Sequence, residues 1–173
     1  MKFQGMIIGV PKEIMPGEGR VSSTPETVKK MVAEGATVLV QKTAGDGSFF
    51  SDAEYVAAGA TLVDGAEEVF AKADVILKVK EPLFNKDVNK HESDMLRDGQ
   101  YLITFLHPAA PVNREPMKKL RDTGCISLTL DGIPRISRAQ SMDALTSMST
   151  VAGYKSVLMA ANYMSKFMPM VGT

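Results

Sequence analysis

Residues 74–80 read DVILKVK, the strongest strand signal in a chain of 173 residues. Its apolar positions Val75, Ile76, Leu77 and Val79 suit a buried strand, and Glu81-Pro82 stops it. Upstream, residues 66–71 form a short helical pattern and TLV (61–63) a brief strand. Before those, Ser51-x-x-Glu54 is a capping box that opens a helix over 52–58, ended by Gly59. Further out lie a strand at TVLVQ (37–41) and a helix within TPETVKKMVAEG (24–35). Thr24 serves there as N-cap, Pro25 takes the first turn, Glu26 favours the positive end of the dipole and Gly35 supplies the left-handed stop. MIIGV (6–10) is the first strand. Downstream, the polar and weakly periodic residues 84–98 predict a helix. YLITFL (101–106), REPMKKLRD (114–122) and CISLTL (125–130) then read as strand, helix and strand.

Strands alternating with helices through connections of a few residues predict an α/β fold. It is a mostly parallel sheet with helices on both faces, Rossmann-like or flavodoxin-like, with right-handed crossovers. Ligands approach such sheets at the carboxyl ends of the strands, which draws attention to residues 11–20, 78–82 and 107–111. After residue 141 the character changes. About 27 residues follow a helical pattern, with a stripe through Leu145, Met148, Ala152, Met159 and Met164, roughly 40 Å long at 1.5 Å per residue. This reads either as a helix packed across the sheet or as a connector toward a second domain, and the abrupt MPMVGT favours the connector. The expected organisation is an α/β domain over 1–140, a connecting helix over 141–168 and a tail over 169–173.

Hydrophobic residues make up 45% of the chain and charged residues 23%, as in a soluble globular protein. With 20 basic and 20 acidic residues, no basic field points to nucleic acid or a membrane surface. The single cysteine, Cys125, allows no internal disulfide and fits a reducing cytoplasm. No apolar run approaches the roughly 18 residues of a spanning helix, and the opening MIIGV reads as a strand rather than as a signal peptide.

Several motifs invite chemistry. GDGSFF (45–50) and PGEGR (16–20) lack the third glycine and the lysine that phosphate cradles need, so they read as surface loops. His91 has no second histidine at ligand spacing and reads as a solvated loop residue. His107, directly after a strand, is either structural or an acid–base group. Lys78 and Lys80 alternate with apolar residues, so both are expected on one face, either neutralising an anion or snorkelling from an edge. Arg20 can fork onto a ligand carboxylate or pair with Glu13 or Glu18. Cys125 reads as inert core at the start of a strand.

The densest polar set is PRISRAQSMDALTS (134–147). A helix N-cap needs only Ser141 or Asp143, and arginines gain nothing at the positive end of a helix. A carboxamide ligand would use Arg135, Arg138, Gln140 and Asp143 well, because it presents both an acceptor and a donor. The competing reading is an ordered loop held by its own Arg–Asp pair.

The stretches IGVPKE, GEGRVSSTPETV, SFFSDAEYVAAGA, ADVILKVKEP and PRISRAQSMDALTSMSTVAGYKSVLMAAN carry a resemblance. Through them the chain resembles the N-terminal part of the NAD(H)-binding α subunit (domain I) of proton-translocating nicotinamide nucleotide transhydrogenase, a family related to alanine dehydrogenase. The last stretch is specific to the transhydrogenase; the others are shared by both relatives. The resemblance implies that Arg135 and Asp143 hold a nicotinamide and its ribose, and that Gln140 lies between NAD(H) and an NADP(H)-binding component. Thr146 stands where the family usually has serine, and keeps the hydroxyl. In alanine dehydrogenases the residues matching Arg20 and Lys80 bind the substrate carboxylate, and the one matching His107 is the acid–base group.

Three functions follow as expectations. The first is hydride transfer between NAD(H) and NADP(H), coupled to proton translocation by a separate membrane component. In it no metal takes part and Gln140 aligns the two nicotinamides. The second is NAD-dependent oxidative deamination of L-alanine to pyruvate, using Arg20, Lys80 and His107. The third is a non-catalytic dimerisation or docking module built on the small-residue face of 144–161. The resemblance further implies a homodimer in the cytoplasm, peripheral at the inner membrane through its partners. It also implies a downstream NAD-binding domain, without which this chain alone is expected to be inactive.

Overall fold

The computed structural model describes residues 1–167. Its chain forms two units, Met1–Leu130 and a second from Asp131 onward. In the first, chain order runs β1 (Ile7–Val10), α1 (Pro25–Ala33), β2 (Thr37–Gln41), α2 (Asp52–Ala57), β3 (Thr61–Val63) and α3 (Ala66–Lys72). It continues through β4 (Val75–Leu77), β5 (Phe84–Asn85), β6 (Lys90–His91), β7 (Tyr101–Thr104), α4 (Arg114–Asp122) and β8 (Ile126–Thr129). Six strands make one sheet in the order β3-β2-β1-β4-β7-β8, and every neighbouring pair is parallel. This is the doubly wound arrangement, in which the winding direction reverses between β1 and β4.

The burial pattern explains why both faces carry helices. In β2, Val38 and Val40 join a core layer with Val28 of α1 and Tyr55 of α2, while Leu39 points the other way. Leu39 packs in a second layer with Val69 and Phe70 of α3, Ile76, Leu102 and Leu120 of α4. Successive strand residues point to opposite faces, so a strand covered on both sides is apolar throughout. Each fully buried side chain of this size contributes roughly 1.5–3 kcal/mol.

Local signals hold at the helix ends. The Thr24 side chain accepts from the Thr27 N–H at 3.4 Å, and Pro25 occupies the first turn of α1. Gly35 follows with φ 97°, the left-handed conformation the stop requires. At α2 the Glu54 carboxylate accepts from the Ser51 N–H at 2.7 Å and from its hydroxyl at 2.8 Å.

Three expectations need correction. The 74–80 strand spans only Val75–Leu77, and the Lys78 N–H makes one further bond to the Ile103 carbonyl at 3.0 Å. The YLITFL strand likewise ends at Thr104. Residues 84–98 are not a helix: β5 and β6 form an antiparallel hairpin, followed by a 3-10 turn at Glu92–Met95. The reason is turn chemistry. The Asn85 carboxamide oxygen accepts from the Asp87 N–H at 3.0 Å, and Asn89 takes φ 52°; both are asparagine habits that compete with helix.

In the second unit a 3-10 segment, Ser137–Met142, leads into α5 (Ala144–Tyr163), a helix of 20 residues. Met164, expected within the helical stripe, is its C-cap, and none of the helix residues is buried. Residues 168–173, which include the expected tail and the end of the expected connector, lie outside the described residues. Among the described residues no helix is long and apolar enough to cross a membrane.

Candidate functional site

Where the strand order reverses, β1 and β4 end side by side, the position at which doubly wound sheets take ligands. The Ser22 hydroxyl donates to the Leu77 carbonyl at 2.8 Å and ties the β1–α1 loop over the end of β4. Arg20 on that loop forks onto Glu18, with Nε 2.8 Å from Oε1 and Nη2 2.6 Å from Oε2. This hydrogen-bonded pairing holds the Glu18 carboxyl below the usual range and raises Arg20, and Lys80 is near enough to deepen the effect on Glu18. Arg20 therefore pairs with Glu18 within its own loop.

The glycine loops have a packing explanation. The Ser48 hydroxyl donates to the Gly19 carbonyl at 2.7 Å, and a Cβ on Gly47 would come within 2.7 Å of the Gly19 Cα. Gly19 of PGEGR and Gly47 of GDGSFF are therefore glycine because two backbones touch there, whereas Gly17 takes φ 80° and a Cβ on Gly45 would meet the Tyr55 ring.

Lys78 departs most from expectation. It neither snorkels nor shares a strand face with Lys80, for its side chain is fully buried. Its Nζ donates to Glu92 Oε1 at 2.9 Å and lies 3.3 Å from Glu13 Oε2. Glu13 Oε1 accepts from the Val79 N–H at 2.6 Å, and Glu92 Oε2 from the Leu83 N–H at 2.9 Å. Burial pushes the Glu92 carboxyl up, against the pull of Lys78. Sequence reading offered Glu13 only as a partner for Arg20 and did not single out Glu92, because nothing local marks residues from the first loop and the hairpin as partners of Lys78.

His107 follows β7 with φ 47°, its ring stacked on Phe105 at 5.9 Å between centroids. The buried Asn113 donates to the carbonyls of Leu106 at 3.0 Å and His107 at 3.1 Å, fixing that backbone. The Lys80 segment runs beside it: Thr104 Oγ1 donates to the Lys80 carbonyl at 2.8 Å, and Phe105 N–H to Val79 at 3.3 Å. Arg20, Lys80 and His107 thus all lie on the carboxyl edge of one sheet. His91 is half-buried rather than a solvated loop residue, with Nδ1 accepting from the Ser93 N–H at 3.2 Å, and burial lowers its pKa. Cys125 precedes β8 and is half-buried.

In the second unit Asp143 is the N-cap of α5. Its Oδ1 accepts from the N–H groups of Leu145 at 2.9 Å and Thr146 at 3.3 Å, and its Oδ2 from the Thr146 hydroxyl at 2.6 Å. The Thr146 hydroxyl leads in holding the Asp143 carboxyl below the usual range, and Arg135 is close enough to add to it. Arg135, Arg138 and Gln140 are exposed. Gln140, Asp143 and Thr146 line a concavity of about 400 Å³. No cluster of three or more candidate metal ligands occurs among the described residues.

Residues 9–152 match the family described as alanine dehydrogenase/PNT, N-terminal domain. The chain belongs to that family. Among relatives of this N-terminal domain, the NAD(P) transhydrogenase subunit alpha of Cereibacter sphaeroides is 39% identical over 162 residues, which is 94% of this chain and 29% of that subunit. The alanine dehydrogenase of Methanococcus maripaludis is 42% identical over 163 residues, 93% of this chain and 40% of that enzyme. The crystal structure of transhydrogenase from Sinorhizobium meliloti superposes with a TM-score of 0.82 at 36% identity, over 96% of this chain and 47% of that one. The alanine dehydrogenase/PNT N-terminal domain described here therefore spans less than half the length of these relatives.

Proposed function

We propose that this chain is the N-terminal part of a NAD(P) transhydrogenase α subunit, and that residues 134–147 grip a nicotinamide. The observation that carries the reading is the state of Gln140. Its side chain is exposed and makes no hydrogen bond among the described residues, on a turn whose end is locked by the Asp143 cap. A carboxamide left free on an ordered turn can both donate and accept.

The neighbouring residues fit a nicotinamide and its ribose. Asp143 uses three acceptor positions on its cap, and a carboxylate offers about four. The Thr146 hydroxyl donates to Asp143 and keeps its own lone pairs for a ribose hydroxyl. Arg135 supplies a fork of donors for the amide carbonyl. A bound nicotinamide nucleotide supplies the hydride. Arg135, Asp143 and Thr146 would orient the ring and Gln140 would align it with a second nicotinamide on an NADP(H)-binding partner, a step that needs no acid or base from these residues.

In this reading 1–140 is the α/β domain, 141–168 connects it to a NAD-binding domain and 169–173 is a tail. The subunit is a cytoplasmic homodimer that meets a membrane proton-channel component, peripheral at the inner membrane. A second reading, alanine dehydrogenase, draws on Arg20, Lys80 and His107 following the neighbouring strands β1, β4 and β7 at one sheet edge. Arg20 and Lys80 would then hold the pyruvate carboxylate and His107 would exchange a proton.

The test uses the full-length subunit with its NADP(H)-binding partner. NADH oxidation is followed with an NADP⁺ analogue in one mixture, and with pyruvate plus ammonia in another. Turnover in the first, slowed about tenfold or more by Gln140→Asn with little change in NADH binding, supports the proposal. Turnover in the second alone, abolished by His107→Ala, replaces it with the second reading.

A further inference from the structure

Lys80 follows the last backbone bonds between its segment and that of β7, Lys78 N–H to the Ile103 carbonyl at 3.0 Å and Phe105 N–H to the Val79 carbonyl at 3.3 Å. From Lys78 to Leu83 the backbone is in neither strand nor helix, and side chains supply further bonds that fix its path. Two buried carboxylates do much of this. Glu13, from the loop after β1, accepts from the Val79 N–H, and Glu92, from the turn after the hairpin, accepts from the Leu83 N–H. Lys78 lies between them, its ammonium bonded to Glu92 and 3.3 Å from Glu13. The Lys80 carbonyl is held from the other side by Thr104.

We propose that Glu13, Lys78 and Glu92 are positioning residues that brace the backbone on both sides of Lys80, so that its ammonium is presented at the carboxyl edge of the sheet for a small carboxylate. The inference rests on that edge being a ligand site, and it is independent of whether residues 134–147 grip a nicotinamide.

Three features favour a role beyond ordinary core packing. Two carboxylates share one ammonium away from water, an arrangement that apolar side chains of similar volume often replace without loss of stability. The carboxylates bond the backbone at residues 79 and 83, on either side of Lys80, rather than each other. Lys80 itself is left half-buried, near enough to Glu18 to help hold that carboxyl low. The brace and the presented cation therefore belong to one segment.

The test is a double-mutant cycle in the full-length subunit, with pyruvate as the carboxylate probe and binding read by calorimetry. Lys80→Met is expected to weaken pyruvate about tenfold. Glu92→Gln is expected to weaken it by about fivefold although Lys80 is intact, and the double variant to be no worse than Lys80→Met alone. Thermal unfolding of Glu92→Gln shows whether it folds, and Glu13→Gln provides a second brace variant if it does not. Effects that multiply in the double variant overturn the proposal, as does unchanged affinity in both brace variants. Absence of pyruvate binding by the unmodified subunit also overturns it, and leaves hydride transfer to NADP⁺ unaffected as a separate result.

Discussion

The Tyr55 phenol donates a 2.8 Å hydrogen bond to the Ser23 carbonyl from a fully buried position. Burial, with Glu54 and Asp52 adding to it, pushes this phenol up to about 12. The α2 side chain thereby holds the end of the loop that carries Arg20. Removing the hydroxyl in Tyr55→Phe leaves a carbonyl unpaired and should cost about 1 kcal/mol, measured by urea unfolding. The pH dependence has a definite sign. A tyrosine that ionises near 10 when unfolded and higher when folded stabilises fully below pH 10, and that contribution is lost as pH rises toward 12. The Tyr55→Phe variant should lose stability less steeply across this window. Identical slopes for both proteins would remove Tyr55 as the cause.

At Gly47 the neighbour is backbone. An alanine Cβ would sit 2.7 Å from both the Cα and the carbonyl oxygen of Gly19, so the two glycine loops would have to part. Gly47→Ala should destabilise the protein by about 1–3 kcal/mol, as overpacking does. Gly153→Ala in α5 is the contrast, since its Cβ would meet nothing within 4 Å. There alanine should favour the helix by up to about 1 kcal/mol. Thermal melts of the two variants should move in opposite directions, and a harmless Gly47→Ala would mean the loops are not pressed together.

The Asp143 cap makes a local prediction. In Asp143→Ala, the amides of Leu145 and Thr146 should exchange hydrogen faster while those of β1 keep their protection. Asp143→Asn, which retains an acceptor, should lie between the two. Because the folded carboxyl titrates below the usual range, the protection is present at neutral pH and fades as pH falls through that lowered value. Uniform protection in Asp143→Ala would show that the cap does not hold α5.

Most of the fold could be read from the sequence because its signals were local. Thr24, Ser51 with Glu54, and Gly35 announce helix ends through bonds that span only a few residues. The hairpin at 84–91 was missed because its asparagines were weighed as polar composition rather than as turn formers. The Lys78 error has a different origin. Alternation predicts a side chain's face only while the strand lasts, and β4 ends at Leu77. The partners of Lys78 come from distant parts of the chain, so no spacing rule could supply them. The polar set at 134–147 was visible as composition. Its geometry was not, since the choice of Asp143 over Ser141 as cap and a free carboxamide at Gln140 emerge only once the turn has a shape.

The strand order has a consequence for how the chain comes into being. β1 is made before the other strands of this sheet, yet it finishes in the middle of it. One of its edges is matched early, when Ile7 meets Thr37; the other waits until Val75 reaches Ile8. During that interval an apolar strand presents an open row of hydrogen-bonding groups, a template for pairing with the wrong chain. The later-made β4, itself one of the shortest strands in the sheet, is what closes that opening and joins the two halves of the domain.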